Sequence, residues 1–358
     1  MTHDLVVIGG GPVGLATALY AARCHLDVVV VEPRPGDLDK ACGEGLMPVG
    51  VAALADLGVH PEGRPFRAIR YVDGARSVDA TFAGRAGLGV RRTTLHAALS
   101  EEVAQAGIEV LPLHAGTPTT DGDGTPGAGV VRVPTTGARG SSGPALRAHY
   151  VVAADGLHSP TRRGLGLAAR ARGPRRYGQR QHFAVAPWTD RVEVHWGPSA
   201  EIYVTPVADD LVGVAVLSDQ RLPFADQLAR FTGLRERLEA ASPASAVRGA
   251  GPLRQRTSAR VAGRVLLVGD AAGYVDALTG EGISLGLAQA RAAVQAVVEG
   301  RPQSYERSWC RLTREHAVLT QGLVRVTHPA WGRRWIVPAA TTLPSVFTAV
   351  VRRLADEH

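Results

Sequence analysis

The sequence predicts an α/β fold: a Rossmann-like nucleotide-binding domain, an antiparallel-sheet domain inserted into it, and a C-terminal helical segment. Three observations predict it. A strand, glycine turn, helix, strand and acid follow one another within the first thirty-two residues. Buried-strand patterns end in acid and glycine pairs again at Asp155-Gly156 and Gly269-Asp270. Between those two pairs the apolar period changes to the two-residue alternation of sheet.

The opening unit is the most informative. Leu5–Ile8 is an apolar run, Gly9-Gly10-Gly11-Pro12-Val13-Gly14 follows at once, and Leu15, Leu19 and Ala22 then share one helical face. Val28–Val31 reads as the second strand, with Glu32 at its end. Gly9, Gly11 and Gly14 satisfy G-x-G-x-x-G. In that pattern Gly9 allows the tight turn, Gly11 lets the backbone approach a pyrophosphate, and Gly14 lets helix and strand pack closely. The helix N-terminus offers unpaired N–H groups to phosphate oxygens. Glu32 can accept hydrogen bonds from a ribose diol, and its charge disfavours a 2′-phosphate there. Glycine turns are common, but the strand before this one and the acid after it favour a dinucleotide.

Further along, Pro33-Arg34-Pro35-Gly36-Asp37 is a turn, and Cys42-Gly43-Glu44-Gly45-Leu46 places a thiol and a carboxylate among glycines. Such a loop, just downstream of a nucleotide fingerprint, either approaches the ligand or is an ordinary turn with a semi-buried cysteine. Val49–Leu57 has helical spacing, and Phe66–Phe82 reads as strands leaving the first domain. A helix beginning near Thr93 or Thr94, either of which can cap it, runs to Gly107, with Arg91 and Arg92 just before its first turn. Ile108–Leu113 is a strand, and 116–143 a meander of short exposed hairpins with Val130–Val133 strand-like.

Tyr150–Ala154 is a buried strand. From Arg175 to Leu217 the pattern is antiparallel, with Val192, Val194 and Trp196 alternating with Arg191, Glu193 and His195. One helix follows, striped by Phe224, Leu228, Phe231, Leu234 and Leu238. Val265–Val268 returns to the first domain, and Gly280-Glu281-Gly282 opens a long helix ending at Gly300. The last sixty residues read as basic amphipathic helices broken at Pro329, Pro338 and Pro344. The resulting division is 1–65, 88–174 and 250–300 for the nucleotide domain, 66–87 and 175–249 for the sheet domain, and 301–358 for the terminal helices.

With 358 residues the chain is long enough for two domains or one large discontinuous assembly. Its net charge of +7 is carried by arginines spread along the chain, with Lys40 the only lysine, so no nucleic-acid partner is expected. Cys24, Cys42 and Cys310 are too scattered for a disulfide framework or a zinc site, and no metal is expected. Met1–Asp4 leaves no room for a signal peptide before the first strand, from which a cytoplasmic location is expected.

Taken in order, Gly9–Glu32, Asp155-Gly156 and Gly269-Asp270 resemble the flavoprotein fold shared by para-hydroxybenzoate hydroxylase-type monooxygenases and the geranylgeranyl reductase family. The resemblance implies an FAD diphosphate against Gly9, Gly11, Pro12, Val13 and Gly14, with Glu32, Pro33 and Arg34 around the adenosine ribose. It implies Asp270, after Gly269, on the ribityl or diphosphate part, and Asp155 and Gly156 beside the cofactor. The Gly280-Glu281-Gly282-Ile283 helix start would face the flavin, where its dipole suits the negative charge of the reduced ring. Arg92 or Arg91 matches the family's arginine before Leu95. Gly273 and Thr279-Gly280-Glu281-Gly282, where hydroxylases have histidine and Gly-Gln-Gly, are similar to the geranylgeranyl reductase branch, as is Cys42-Gly43-Glu44-Gly45-Leu46. That likeness makes Cys42 a candidate catalytic residue, with Glu44 a weaker one and Gly45 and Leu46 beside the flavin. The branch's Tyr-x-Trp-x-Phe-Pro pattern appears only as Tyr203-Val204-Thr205-Pro206.

What the resemblance implies is an FAD-dependent oxidoreductase acting on a hydrophobic small molecule (an isoprenoid, polyene or polyketide), with C=C reduction as the leading chemistry and NAD(P)H as external reductant. The alternatives are an FAD monooxygenase hydroxylating an aromatic or polyketide ring, a halogenase, for which Lys40 is the sole candidate lysine, and a nucleotide-binding scaffold without turnover. The terminal helices, where Trp331, Trp335, Ile336 and Phe347 interleave with Arg325, Arg333 and Arg334, would cover the substrate entrance or rest on a membrane.

Overall fold

A computed structural model describes every residue except 75, 122–128, 138, 139, 279, 357 and 358. The central sheet is mostly parallel. His3–Ile8 lies between Leu146–Ala153 and Val28–Val31, both parallel to it, and Glu109–Leu111 extends the sheet beyond Val28–Val31. Leu146–Ala153 shares its other edge in two halves. Its first half pairs antiparallel with Val130–Val133, and its second half pairs parallel with Val265–Leu267. Three helices, Pro12–Arg23, Arg92–Gln105 and Gly282–Val298, bury Leu15, Leu19, Leu95, Leu99, Leu287 and Val294 against one face. The strand ends carrying Gly9, Glu32, Ala154 and Val268 therefore converge at the C-terminal edge of the sheet, where open α/β sheets hold ligands.

The second sheet runs in the order Ser242–Pro243, Tyr177–Ala184, Leu211–Ser218, Ala200–Ala208, Arg191–Trp196, Ala68–Asp73, Arg76–Thr81. Its pairings are antiparallel except that Arg191–Trp196 lies parallel to Ala68–Asp73, which the alternation alone did not reveal. The two strands are separated in sequence by the middle segment of the nucleotide-binding domain, so no hairpin dictates their direction. One face packs Ile202, Val204, Val212, Val214 and Val216 under Phe224, Leu234 and Leu238. The other presents Val194, Trp196, Tyr203 and Leu217 to the terminal helices.

Several local expectations are corrected. The stripe from Phe224 to Leu238 is buried as expected, but it is carried by two helices, Phe224–Leu228 and Thr232–Leu238. The break turns Phe231 onto Gly197, where a Cβ would lie 2.6 Å from its ring. Thr93 and Thr94 do not cap their helix, which starts at Arg92 with Arg91 at the N-cap position and no side-chain cap from that residue. Pro338 does not break a helix either: Ala330–Thr342 continues through it, since proline removes one donor and the helix ends within a turn. Within 116–143, Val130–Val133 is an internal strand with Val131 and Val133 fully buried, while residues 122–128 lie outside the described residues, as does Thr279. The C-terminal segment forms Ser304–Thr327, Ala330–Thr342 and Pro344–Asp356. Among the described residues no single helix is long and apolar enough to cross a membrane.

Candidate functional site

The glycine turn divides its work as the residue spacing predicted. Gly9 has φ +103°, and a Cβ on it would lie 2.6 Å from the carbonyl oxygen of Ala154. A Cβ on Gly14 would lie 1.8 Å from the carbonyl oxygen of Gly9, so only hydrogen fits between helix and turn. Gly11 has nothing within 4 Å of its Cβ position and lines the cavity in front of the helix. Glu32 is buried behind the turn and fully engaged. Its Oε2 accepts from Gly10 N at 2.8 Å and Arg34 Nη2 at 2.9 Å; its Oε1 accepts from Arg34 N at 3.0 Å and Nε at 2.7 Å. Burial pushes its carboxyl up, but these donors outweigh burial and hold it below the usual carboxylate range.

One cavity of about 900 Å³ starts at this turn. Gly11, Pro12, Val13, Gly45, Arg92, Asp155, Gly156, Gly269, Asp270, Gly280, Gly282 and Ile283 line it, together with Cys42 and Glu44. Gly9, Gly14, Glu32, Pro33, Arg34, Leu46, Arg91 and Glu281 do not line it. Arg92, not Arg91, is the arginine at the cavity. From there the cavity runs between Ile69, Tyr71, Val192 and Val194 of the second sheet, with Phe66 of the short strand Arg64–Phe66, and Leu343, Val346, Phe347 and Val350 of the terminal segment. Its charged lining, Lys40, Glu44, Arg92, Asp155 and Asp270, is confined to the end near the glycine turn.

That polar end fits a dinucleotide. Asp155 Oδ1 and Arg92 Nε are buried without a hydrogen-bond partner in the protein. Asp155 spends its other oxygen on Thr161 N, at 2.9 Å. Burial pushes the Asp270 carboxyl up, opposed by the positive charges of Lys40, Arg92 and Arg162. The loop carrying Asp270 is fastened by Arg162, a buried guanidinium that donates to Asp270 O at 3.1 Å, Ala271 O at 2.9 Å and Leu157 O at 2.7 Å. The Gly282–Val298 helix points its first turn at the cavity with no side chain capping it. Glu281 turns away from the cavity to His316 of the terminal helices. Asp270→Ala should weaken FAD binding by about 1.5–3 kcal/mol, the range for a hydrogen bond to a charged group. Flavin titration of the stripped protein measures it, and a mutant purifying with full flavin would refute the assignment.

The Cys42 loop lines the cavity from Lys40 to Gly45. Cys42 Sγ accepts from Glu44 N at 3.4 Å, and burial raises its thiol pKa against the lowering influence of Arg92. Glu44, with φ +60°, points its buried carboxylate into protein: Oε1 accepts from Arg92 N at 3.0 Å and Oε2 pairs with His182 Nε2 at 2.7 Å. Glu44 is thus the missing cap of the Arg92–Gln105 helix, supplied from 48 residues away. The sequence reading did not single out His182, Arg180 or Thr205 for the site. Arg180 and His182 lie two apart in the polar run Gln179-Arg180-Gln181-His182, so they share one face of their strand, which is the sole signal the sequence carries for them.

The sequence matches the FAD binding domain family over residues 2–224. It is 29% identical over 343 residues to a menaquinone reductase of Mycolicibacterium smegmatis, covering 87% of this chain and 80% of that protein. It is 29% identical over 324 residues to a digeranylgeranylglycerophospholipid reductase of Methanothermobacter thermautotrophicus, covering 83% of this chain and 78% of the relative. Among solved structures, p-nitrophenol 4-monooxygenase of Pseudomonas putida superimposes with a TM-score of 0.78 at 20% identity, over 99% of this chain and 98% of that one. That likeness concerns the fold and does not choose between reduction and hydroxylation.

Proposed function

Because the chain belongs to the FAD binding domain family, we propose that this FAD-dependent oxidoreductase reduces a C=C bond in the prenyl chain of an isoprenoid lipid, with NAD(P)H as the external reductant. The observation that carries the reading is the continuity of the polar cradle with an apolar channel, uncharged among its described lining residues away from that cradle. Relatives named for menaquinone and digeranylgeranylglycerophospholipid reduction support the same substrate class.

In the proposed site, Gly11–Val13, Arg92, Asp155, Asp270 and the Gly282 helix start hold FAD, which when bound supplies reversible hydride transfer. Phe66, Ile69, Val192 and Phe347 orient the chain and exclude water. Cys42 lines the cavity where the polar and apolar parts meet, and its raised pKa keeps it a protonated thiol, able to position the alkene or give the proton that completes addition of two hydrogens. Mixing the reduced enzyme under argon with a menaquinone of four prenyl units or with geranylgeranyl diphosphate tests it. Product that stays two hydrogens heavier after any quinol has been reoxidised supports reduction of the prenyl chain. Product formed only after air is admitted, with one oxygen incorporated, assigns the enzyme to hydroxylation.

Leu343 and Val346, 56% and 55% exposed, line the cavity, and the same terminal segment carries Trp331 and Trp335, each about two-thirds exposed, and the exposed Arg325 and Arg334. That mixture suits the interface of an anionic bilayer in which apolar substrates dissolve. Cosedimentation with phosphatidylglycerol vesicles at low salt is expected, reduced by Trp331→Ala/Trp335→Ala; a protein that stays in the supernatant refutes the membrane contact.

A further inference from the structure

We propose that His182 is a positioning residue for the reaction, acting through Glu44 to set the Cys42 thiol in the cavity. This rests on the reading of Cys42 given above. His182 is buried in the strand Tyr177–Ala184, on the substrate sheet, and does not line the cavity. Its Nδ1 lies 3.1 Å from Arg180 Nη1, and a guanidinium can only donate. Nδ1 therefore accepts, which puts the ring proton on Nε2 and aims it at Glu44 Oε2, 2.7 Å away. Ser245 Oγ, 3.0 Å from Nδ1, fixes the ring from the same side.

The carboxylate so held does two things at once. Its other oxygen takes the N–H of Arg92, and the backbone of Glu44, kept at φ +60°, turns its own N–H toward Cys42 Sγ. A non-glycine residue seldom adopts that conformation unless its surroundings enforce it. The substrate sheet supplies the enforcement: Thr205 Oγ1 donates to Gly43 O at 2.7 Å, and a Cβ on Gly213 would lie 2.8 Å from Glu44 Oε2. Arg180 also reaches back to Asp39 and, at 3.3 Å, to Lys40 O. The thiol at the junction of cofactor cradle and substrate channel is thus placed by the substrate sheet.

The test uses flavin-loaded protein in which the exposed Cys24 and Cys310 are replaced by serine, so that iodoacetamide reports Cys42 alone. His182→Leu, which removes the donor, should change the alkylation rate of Cys42 about tenfold or more, while His182→Gln, whose amide can donate from the same place, should stay close to the parent. Turnover per bound flavin should follow the same order, with kcat lowered about ten- to hundredfold in the leucine variant and KM little changed. Equal alkylation rates in all three proteins, or a glutamine variant as altered as the leucine one, overturns the role of His182. Full turnover in Cys42→Ala refutes the role of the thiol and leaves the alkylation result standing.

Discussion

Cys42→Ala should purify yellow, with flavin occupancy equal to that of the parent, and lose about a hundredfold or more in turnover, the lower range for a positioned proton donor. The separation of the two effects follows from where the side chain lies. Cys42 lines the cavity, and the groups proposed to hold the cofactor, Gly11, Asp155, Asp270 and the Gly282 helix start, come from other segments. Truncation to alanine keeps the backbone and the N–H of Glu44, so the loop retains the bonds made by Glu44 and by Gly43 O. The measurement is kcat per bound flavin in anaerobic assays. Loss of flavin with unchanged activity per remaining flavin would move Cys42 from the chemistry to the cradle.

Gly14→Ala should be the most damaging small substitution in the fingerprint. Alanine gains about 1 kcal/mol over glycine in a helix interior. That gain is overwhelmed here, because the new methyl would lie 1.8 Å from the carbonyl oxygen of Gly9 and 3.3 Å from Ala154 Cβ. Neither neighbour can swing aside as a flexible side-chain tip would, so the helix must lift off the turn. Overpacking of this kind costs about 1–3 kcal/mol and occasionally more. Gly11→Ala is the control, since its added methyl meets nothing within 4 Å in the protein and only obstructs the approach to the cradle. Melts of the flavin-stripped proteins and flavin content of the purified ones should therefore diverge: Gly14→Ala is lowered in both, whereas Gly11→Ala melts with the stripped parent and loses flavin. Equal melting temperatures in both variants would contradict the close helix–turn packing.

The parts of the site legible in the sequence are those whose chemistry is local. A glycine turn, the acid two strands on and a helix start are each specified by residues within one supersecondary unit, and Gly9, Gly11, Gly14 and Gly282 lie where that logic puts them. Glu32 shows the limit. Its place at the strand end was readable, but its full engagement by Arg34 and Gly10 depends on how the turn folds back. Glu44, Arg92 and His182 were harder, because their meeting joins three segments up to 138 residues apart. A polar residue in a buried strand is visible in sequence, but its partner is not. Likewise the strand alternation of Val192, Val194 and Trp196 gave their common face and not the parallel neighbour against which they lie.

That parallel pairing has a consequence for the order in which the chain can fold. Ala68 and Arg191 are register partners 123 positions apart (191 − 68), so the two halves of the second sheet meet only after the middle segment of the nucleotide-binding domain, from Arg92–Gln105 to Leu146–Ala153, has been made. Joining contacts so distant is slow, because the entropy of closing the intervening loop is lost before the contact repays it. During synthesis the hairpin of Ala68–Asp73 and Arg76–Thr81 leaves the ribosome well before its neighbour exists, and the strand Arg191–Trp196 would offer a bare edge to any chain released too early. The hairpin therefore waits with its inner edge unpaired until Arg191–Trp196 has been made.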